Sequence, residues 1–443
     1  MKKHFLITLL LLGGFYAGFA QNKAEDVKTF TLKNGMKILV LEDHSIPNAN
    51  MYLFWKVGSR NEVPGITGLS HFFEHMMFNG AKKYGPKEFD RVMEANGGSN
   101  NAYTTADVTV YTDWFPSSAL EVMFELEADR IGHLNIDEKM VESERGVVLS
   151  ERSTGLENSN FRFLAEQVES VAFFAHPYKW PVIGYESDIK SWTKKDLEEY
   201  FKTYYAPNNA VVVIVGDVKL DQVKTLAQKY FEPIPAQTPP PAVRTIEPEQ
   251  NGEKRLVVYK EISSPNVMLS YHTPETKHED YYALELLSNL LSSGNSARLT
   301  KSLVYDQELA TNVFAYQGNS FDPNLFTFYA IAANGVSPEE VEKGILAEIE
   351  KIQKEGVTER ELQKVKNQKL IEFYQSVETI DGKANNIGTY ELFFGDYKKL
   401  FEAPKLFEKV SIEDIKRVAN TYFTKKNCTV GYLISENQEE KSE

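Results

Sequence analysis

A pattern of helix followed by strand occurs twice in this chain, at a constant offset and without a gap. Asp196-Leu197, Thr203-Tyr204-Tyr205 and Asn209 return as Asp414-Ile415, Thr421-Tyr422-Phe423 and Asn427. Each copy runs from an amphipathic stretch of helical period into an apolar run of strand character. Gly80 and Gly294 form a second correspondence, each following a helical segment. Between the copies lie Pro233, Pro235, Pro239, Pro240, Pro241 and Pro248. Proline lacks an N–H and has a fixed φ, so this segment is neither helix nor inner strand. These marks predict an α+β chain of two homologous domains, each a mainly antiparallel sheet packed with helices, joined by a Pro-rich linker. The expected boundaries are an N-terminal domain over 21–232, the linker over 233–250 and a C-terminal domain over 251–436.

Local signals fill in the halves. Residues 29–32 and 37–41 are strand-like and flank Asn34-Gly35, a hairpin turn signal. Further strands are expected at 51–55 and 209–216, and helices at 117–131, 137–153 and 193–205. Ser337-Pro338-Glu339-Glu340 is a capping box with proline in the first turn, opening a helix to about residue 355. The only cysteine is Cys428, in an apolar run, so the fold has no internal disulfide and a paired-cysteine metal or redox site is excluded.

The N-terminus reads as an export signal. Lys2-Lys3 precede an apolar run from Phe5 to Phe19, too short for a comfortable membrane span, and Gly18 and Ala20 supply the small residues of a cleavage site. Residues 1–20 are therefore expected to be removed, leaving no membrane anchor and an exported, periplasmic or secreted, protein. The net charge of −14 argues against nucleic-acid binding, which needs clustered Lys and Arg. The charged tail 437–443 is expected to be disordered.

The chemistry concentrates in residues 68–80. Leu69, Phe72, Phe73, Met76 and Met77 form one apolar helical stripe. His71 and His75, four apart, lie one turn above each other off that stripe, and Glu74 sits beside them. Two imidazoles so placed bind one zinc ion through one nitrogen each, and a neighbouring carboxylate that is not a ligand takes a proton from the attacking water. Zinc needs a third protein ligand. Glu144 and Glu151, seven apart on a predicted helix, share one face. One can reach the metal and the other would orient a ligand imidazole, but spacing does not say which.

The H-x-x-E-H helix, followed about 75 residues later by E-x6-E, resembles the pitrilysin/insulinase-type inverzincin metallopeptidases. Within them it is most similar to the short-chain branch with mitochondrial processing peptidase and its bacterial relatives. Val57-Gly-Ser-Arg-Asn-Glu62, Gly97-Gly98 and the segment from Asn101 also fit that pattern. The resemblance implies a peptidase with one Zn2+ per chain, held by His71, His75 and Glu151. It implies Glu74 as general base and Glu144 as the carboxylate that supports a ligand. It also implies substrate binding along Asn101, Ala102, Tyr103 and Thr104, where a strand edge reads an extended peptide through its backbone.

One departure stands out. Active members carry Arg-x6-Tyr in the second half, after a stretch like Ala297-Arg298-Leu299, to contact substrate; here those positions are Val304 and Thr311, and Arg298 has the wrong spacing. The counterparts of His71, Glu74 and His75 are Glu285, Ser288 and Asn289, so the second half has no zinc residues. The resemblance thus implies a heterodimer with a zinc-free homologous chain that supplies the Arg–Tyr pair. The competing function is a non-catalytic peptide-binding or scaffold subunit of a protease complex. A zinc-storage protein would need further histidine clusters, which the eight histidines do not form.

Overall fold

The computed structural model describes residues 23–436; the expected export signal, 1–20, and the expected disordered tail, 437–443, lie outside the described residues. The first half opens with β1 (Lys28–Thr31), β2 (Lys37–Glu42), β3 (Asn48–Trp55), α1 (Leu69–Met76) and α2 (Glu88–Ala95). It continues with β4 (Ser99–Thr104), β5 (Thr109–Pro116), α3 (Leu120–His133), α4 (Glu138–Asn158) and α5 (Asn160–Ala172). It closes with α6 (Glu186–Ser191), α7 (Lys194–Tyr204), β6 (Ala210–Gly216) and α8 (Leu220–Tyr230). After a stretch from 235 to 251 without helix or strand, the second half begins with β7 (Lys254–Tyr259), β8 (Asn266–Thr273) and α9 (Tyr281–Ser292). Then come β9 (Ala310–Gln317), β10 (Asn324–Ala332), α10 (Pro338–Glu355) and α11 (Glu359–Ser376). Last are α12 (Ile380–Phe393), α13 (Lys399–Lys409), α14 (Ile412–Tyr422) and β11 (Cys428–Ile434).

Two sheets result, ordered β1-β2-β6-β3-β5-β4 and β7-β11-β8-β10-β9. Each is antiparallel except for one pair, β2 with β6 and β7 with β11. The five-stranded order of the second sheet repeats the first without β1. The repetition reaches single hydrogen bonds. Thr193 and Ser411 both cap their helices in capping boxes, with Asp196 and Asp414. Asn209 Nδ2 donates to the Tyr204 carbonyl at 2.8 Å, and Asn427 Nδ2 donates to the Tyr422 carbonyl at the same distance. Each asparagine ties a helix end to the strand that follows it. The two-domain, mixed helix-and-sheet architecture expected from the sequence is present.

The halves do not pack separately. β6 is buried along its whole length, because its sheet is covered on both faces. One face, with Ile38, Met51, Leu53 and Val212, packs on helices of its own half. The other, with Leu39, Leu41, Tyr52, Phe54 and Val213, joins the core of the second half. The covering helix is α12: Asp381 accepts from Asn50 Nδ2 (3.0 Å) and Tyr52 Oη (2.9 Å), and Gly388 lies against the Phe54 ring. Reciprocally α5 of the first half covers the second sheet, with Leu164 and Val168 packed on Met268, Tyr329 and Leu433. Gly431 on β11 makes room for Val168. Each sheet thus borrows a helix from the other half. Cys428 is a buried core residue, as its apolar context predicts.

Candidate metal centre and peptide-binding edge

Helix α1 is held in place from three sides. Leu69, Phe72, Phe73 and Met76 are fully buried, which fixes the rotation of the helix about its axis and turns His71 and His75 away from the core. Its N-terminus starts at Gly68, at φ +91°, where a Cβ would meet the Ile183 carbonyl at 2.4 Å. Gly68 has no side chain to cap the first turn, and Glu62 does so from the preceding loop. The Glu62 carboxylate accepts from the backbone N–H groups of Gly68 (2.6 Å) and Ser70 (2.8 Å). Tyr111 Oη donates to the Phe73 carbonyl at 3.0 Å. Glu62 was visible in the sequence only as part of a flanking segment; no local signal marks it as a cap. Glu62→Ala should strip both amides and destabilise the chain by about 1–3 kcal/mol, measurable as a lower urea midpoint.

Among the described residues, one group of three side chains brings metal-binding donor atoms together: His71, His75 and Glu151, all within 4.8 Å of one another. Glu151 Oε2 is 3.4 Å from His75 Nε2 and 3.7 Å from His71 Nε2. Donors on a tetrahedron around zinc, at bonds of about 2.1 Å, stand about 3.4 Å apart, so the residues fit the ion. The other nitrogen of His75 is engaged: Nδ1 donates to Glu144 Oε1 at 2.8 Å, while Asn79 Nδ2 donates to Glu144 Oε2 at 2.8 Å. This leaves the His75 Nε2 lone pair directed at the donor cluster. Helix α4 thus sends one carboxylate to each side of the imidazole.

The electrostatics follow the geometry. Burial works against a charge on His75, but Glu144 and Glu151 outweigh it and its pKa is pushed up to about 9. Burial, and then the charge on His75, pushes His71 down to about 4, so its ring is neutral. Hydrogen bonding to His75 holds both Glu144 and Glu151 below the usual carboxylate range. A zinc ion held by these residues would therefore displace one proton, that of His75, below about pH 9. Zinc affinity should rise roughly tenfold per pH unit between pH 6 and 8, as read by competition with a fluorescent chelator; a flat profile would contradict the assignment.

Glu74 stands beside this cluster and does not belong to it. Its Oε2 accepts from Thr104 Oγ1 at 2.6 Å. Burial raises its pKa, the Thr104 hydrogen bond and His75 opposing. Thr104 ends β4, the outermost strand of the first sheet. β4 pairs with β5 on one side only, Asn101 opposite Thr112 and Tyr103 opposite Val110, so its outer backbone edge has no strand partner among the described residues. Asn101 and Tyr103 are exposed, and Ala102 and Thr104 half-buried. A cavity of about 420 Å³ adjoins His71, Glu74, Tyr103, Thr104 and Glu151.

The second half carries an ion pair where the first brings His71 and His75 to Glu151. On α9, Glu285 binds Lys369 Nζ of α11 at 2.7 Å, and Asn289 Nδ2 donates to Glu372 Oε2 at 3.4 Å. Ser288 Oγ donates to the Ala315 carbonyl at 2.8 Å. Arg298 is committed to Glu361 at 2.7 Å.

Residues 37–185 match the model of the insulinase family, peptidase family M16, and residues 191–369 match that of the M16 inactive domain. The chain is 34% identical over 438 residues to the zinc protease PqqE of Helicobacter pylori, covering 96% of each. It is 24% identical to a probable mitochondrial-processing peptidase subunit beta of Arabidopsis thaliana, over 93% of this chain and 78% of that one. The crystal structure of a protease from Helicobacter pylori superposes with a TM-score of 0.89 at 33% identity, covering 92% of this chain and 99% of that one. The periplasmic protease PqqL of Escherichia coli shares the fold at a TM-score of 0.78 and 18% identity; 95% of this chain matches 49% of that one. With a relative named a zinc protease over 96% of its length and both halves matched by family models, the chain belongs to peptidase family M16, the insulinase family.

Proposed function

We propose that the chain is a zinc-dependent endopeptidase that hydrolyses extended or unfolded peptides. The observation that carries this reading is the convergence of His71, His75 and Glu151 donor atoms beside Glu74, next to an unpaired strand edge. His71, His75 and Glu151 would hold one zinc ion, with Glu144 fixing the His75 tautomer. Zinc in that site supplies a Lewis acid for the scissile carbonyl and makes water more acidic. Glu74 takes the proton of the attacking water and passes it to the leaving amine. Its raised pKa suits both halves of that transfer. Asn101, Ala102, Tyr103 and Thr104 pair with the substrate backbone, which demands an extended chain and little sequence.

The assembly and location belong to the same proposal. Residues 21–232 form the zinc-bearing domain, 251–436 its zinc-free repeat, and 233–250 the linker. Val304 and Thr311 replace the substrate-contacting Arg–Tyr pair, so the chain works as the metal-bearing subunit of a heterodimer whose zinc-free partner supplies it. The protein is exported, to the periplasm or beyond, and no helix among the described residues is long and apolar enough to cross a membrane. The test is incubation of the mature chain, zinc-loaded, with a pool of unfolded peptides, alone and with zinc-free homologous chains of its host. Cutting that a chelator stops and zinc restores is the expected result. Zinc and peptide binding without cutting under every condition would make this a peptide-binding subunit instead. Full activity of a homodimer made alone would remove the partner from the scheme.

A further inference from the structure

Eight of the eleven arginines in this chain are held by carboxylates. Arg162, in the first turn of α5, is not one of them. Its backbone N–H serves the Ser159 cap, and its exposed side chain has no carboxylate partner among the described residues. The nearby acids are engaged elsewhere. Glu151 faces the two imidazoles and feels the Arg162 charge without pairing with it, and Glu166, one turn along α5, receives both arms of Arg152 at 3.1 and 2.7 Å.

The guanidinium lies over Gly155 of α4, with Nη1 3.3 Å from where a Cβ would stand. Gly155 is one turn beyond Glu151 on the same helix. Arg162, Gly155 and Glu151 together border two spaces. One is an open groove of about 850 Å³ along the outer face of α4, past Ser150 and Thr154. The other is the cavity of about 420 Å³ at His71 and Glu74. A peptide lying in either space would run beside this cation. A peptide there can carry a carboxylate, on an acidic side chain or at its C-terminus. A planar guanidinium with free donors admits one, through two parallel N–H···O bonds.

We propose that Arg162 is a specificity-determining residue that binds a carboxylate of the substrate within a few residues of the scissile bond, either an acidic side chain or the free C-terminus. This rests on the peptidase reading above. The test uses the full mature chain loaded with zinc and a peptide series in which each position carries Glu or Gln, with free or amidated C-termini. Affinity is measured by fluorescence anisotropy on the Glu74→Gln background, and kcat/KM on the native background. One position, or the free C-terminus, should be preferred over its neutral form by about threefold to tenfold. Which of the two shows the preference identifies the source of the carboxylate. Arg162→Ala should erase the preference and Arg162→Glu should shift it toward Lys at that position, both with an unchanged melting temperature because the side chain is exposed. Equal affinities for charged and neutral forms, or a preference that survives Arg162→Ala, would overturn the proposal. Cutting without any carboxylate preference would leave the peptidase reading standing, whereas an Arg162-dependent binding preference without cutting would defeat that reading alone.

Discussion

Glu74→Gln should abolish peptide hydrolysis, by about a thousandfold or more, while zinc stays bound at one ion per chain. The amide keeps the size of the carboxylate and can still accept from Thr104, whose hydroxyl lies 2.6 Å from Oε2. What it loses is the ability to take a proton. The three converging donor atoms belong to other residues, so metal content, measured by atomic absorption after dialysis, should match the wild type. The two readings separate the roles cleanly. Loss of zinc together with activity would make Glu74 part of the metal's support. Retention of activity would remove it from the chemistry and return the base role to another group.

Gly388→Leu should lower stability by about 2–3 kcal/mol, although it replaces a poor helix former with a good one. Gly388 lies on α12 where that helix crosses the first sheet. A Cβ there would stand 2.0 Å from Phe54 Cε2 and 2.3 Å from Cζ. Phe54 is 1% exposed and stacked on Tyr52 at 5.7 Å between ring centroids, so it has nowhere to retreat. On a solvent-facing helix, Gly→Ala at this position would stabilise by about 1 kcal/mol through backbone propensity. The sign for Gly388→Ala, read from urea midpoints, therefore decides whether α12 covers the first sheet. A gain in stability would mean that it does not.

Much of the architecture was legible because its causes are local. The hairpin at Asn34-Gly35 follows from one turn that favours positive φ, and Gly35 has φ +87°. The helix opening at Ser337 follows from a capping box within four residues. The ungapped repeat exposed the duplication because both copies need the same cap, the same asparagine and the same buried strand. His71 and His75 could be paired from sequence because four residues is nearly one helical turn. Other features left no such mark. The Glu62 cap spans a loop, Thr104 reaches Glu74 from another element, and Arg162 is notable only because its neighbours are already paired.

The exchange of α5 and α12 between the halves was not visible, since an amphipathic helix displays its apolar face without naming the sheet that covers it. The linker and the repeat marked two halves, each a sheet with helices; the packing gives each sheet a helix from the other half. The same limit applies at the candidate metal centre. Spacing placed Glu144 and Glu151 on one helical face, and only the docking of α4 against α1 decided that Glu151 approaches both Nε2 atoms while Glu144 takes the His75 Nδ1 proton. Sequence by itself determined what the backbone and its nearest neighbours settle: periods, caps, turns and imidazoles one turn apart. Contacts between distant segments were decided by tertiary structure, because apolar burial is non-directional and its partner is selected by the shape and volume of the whole core.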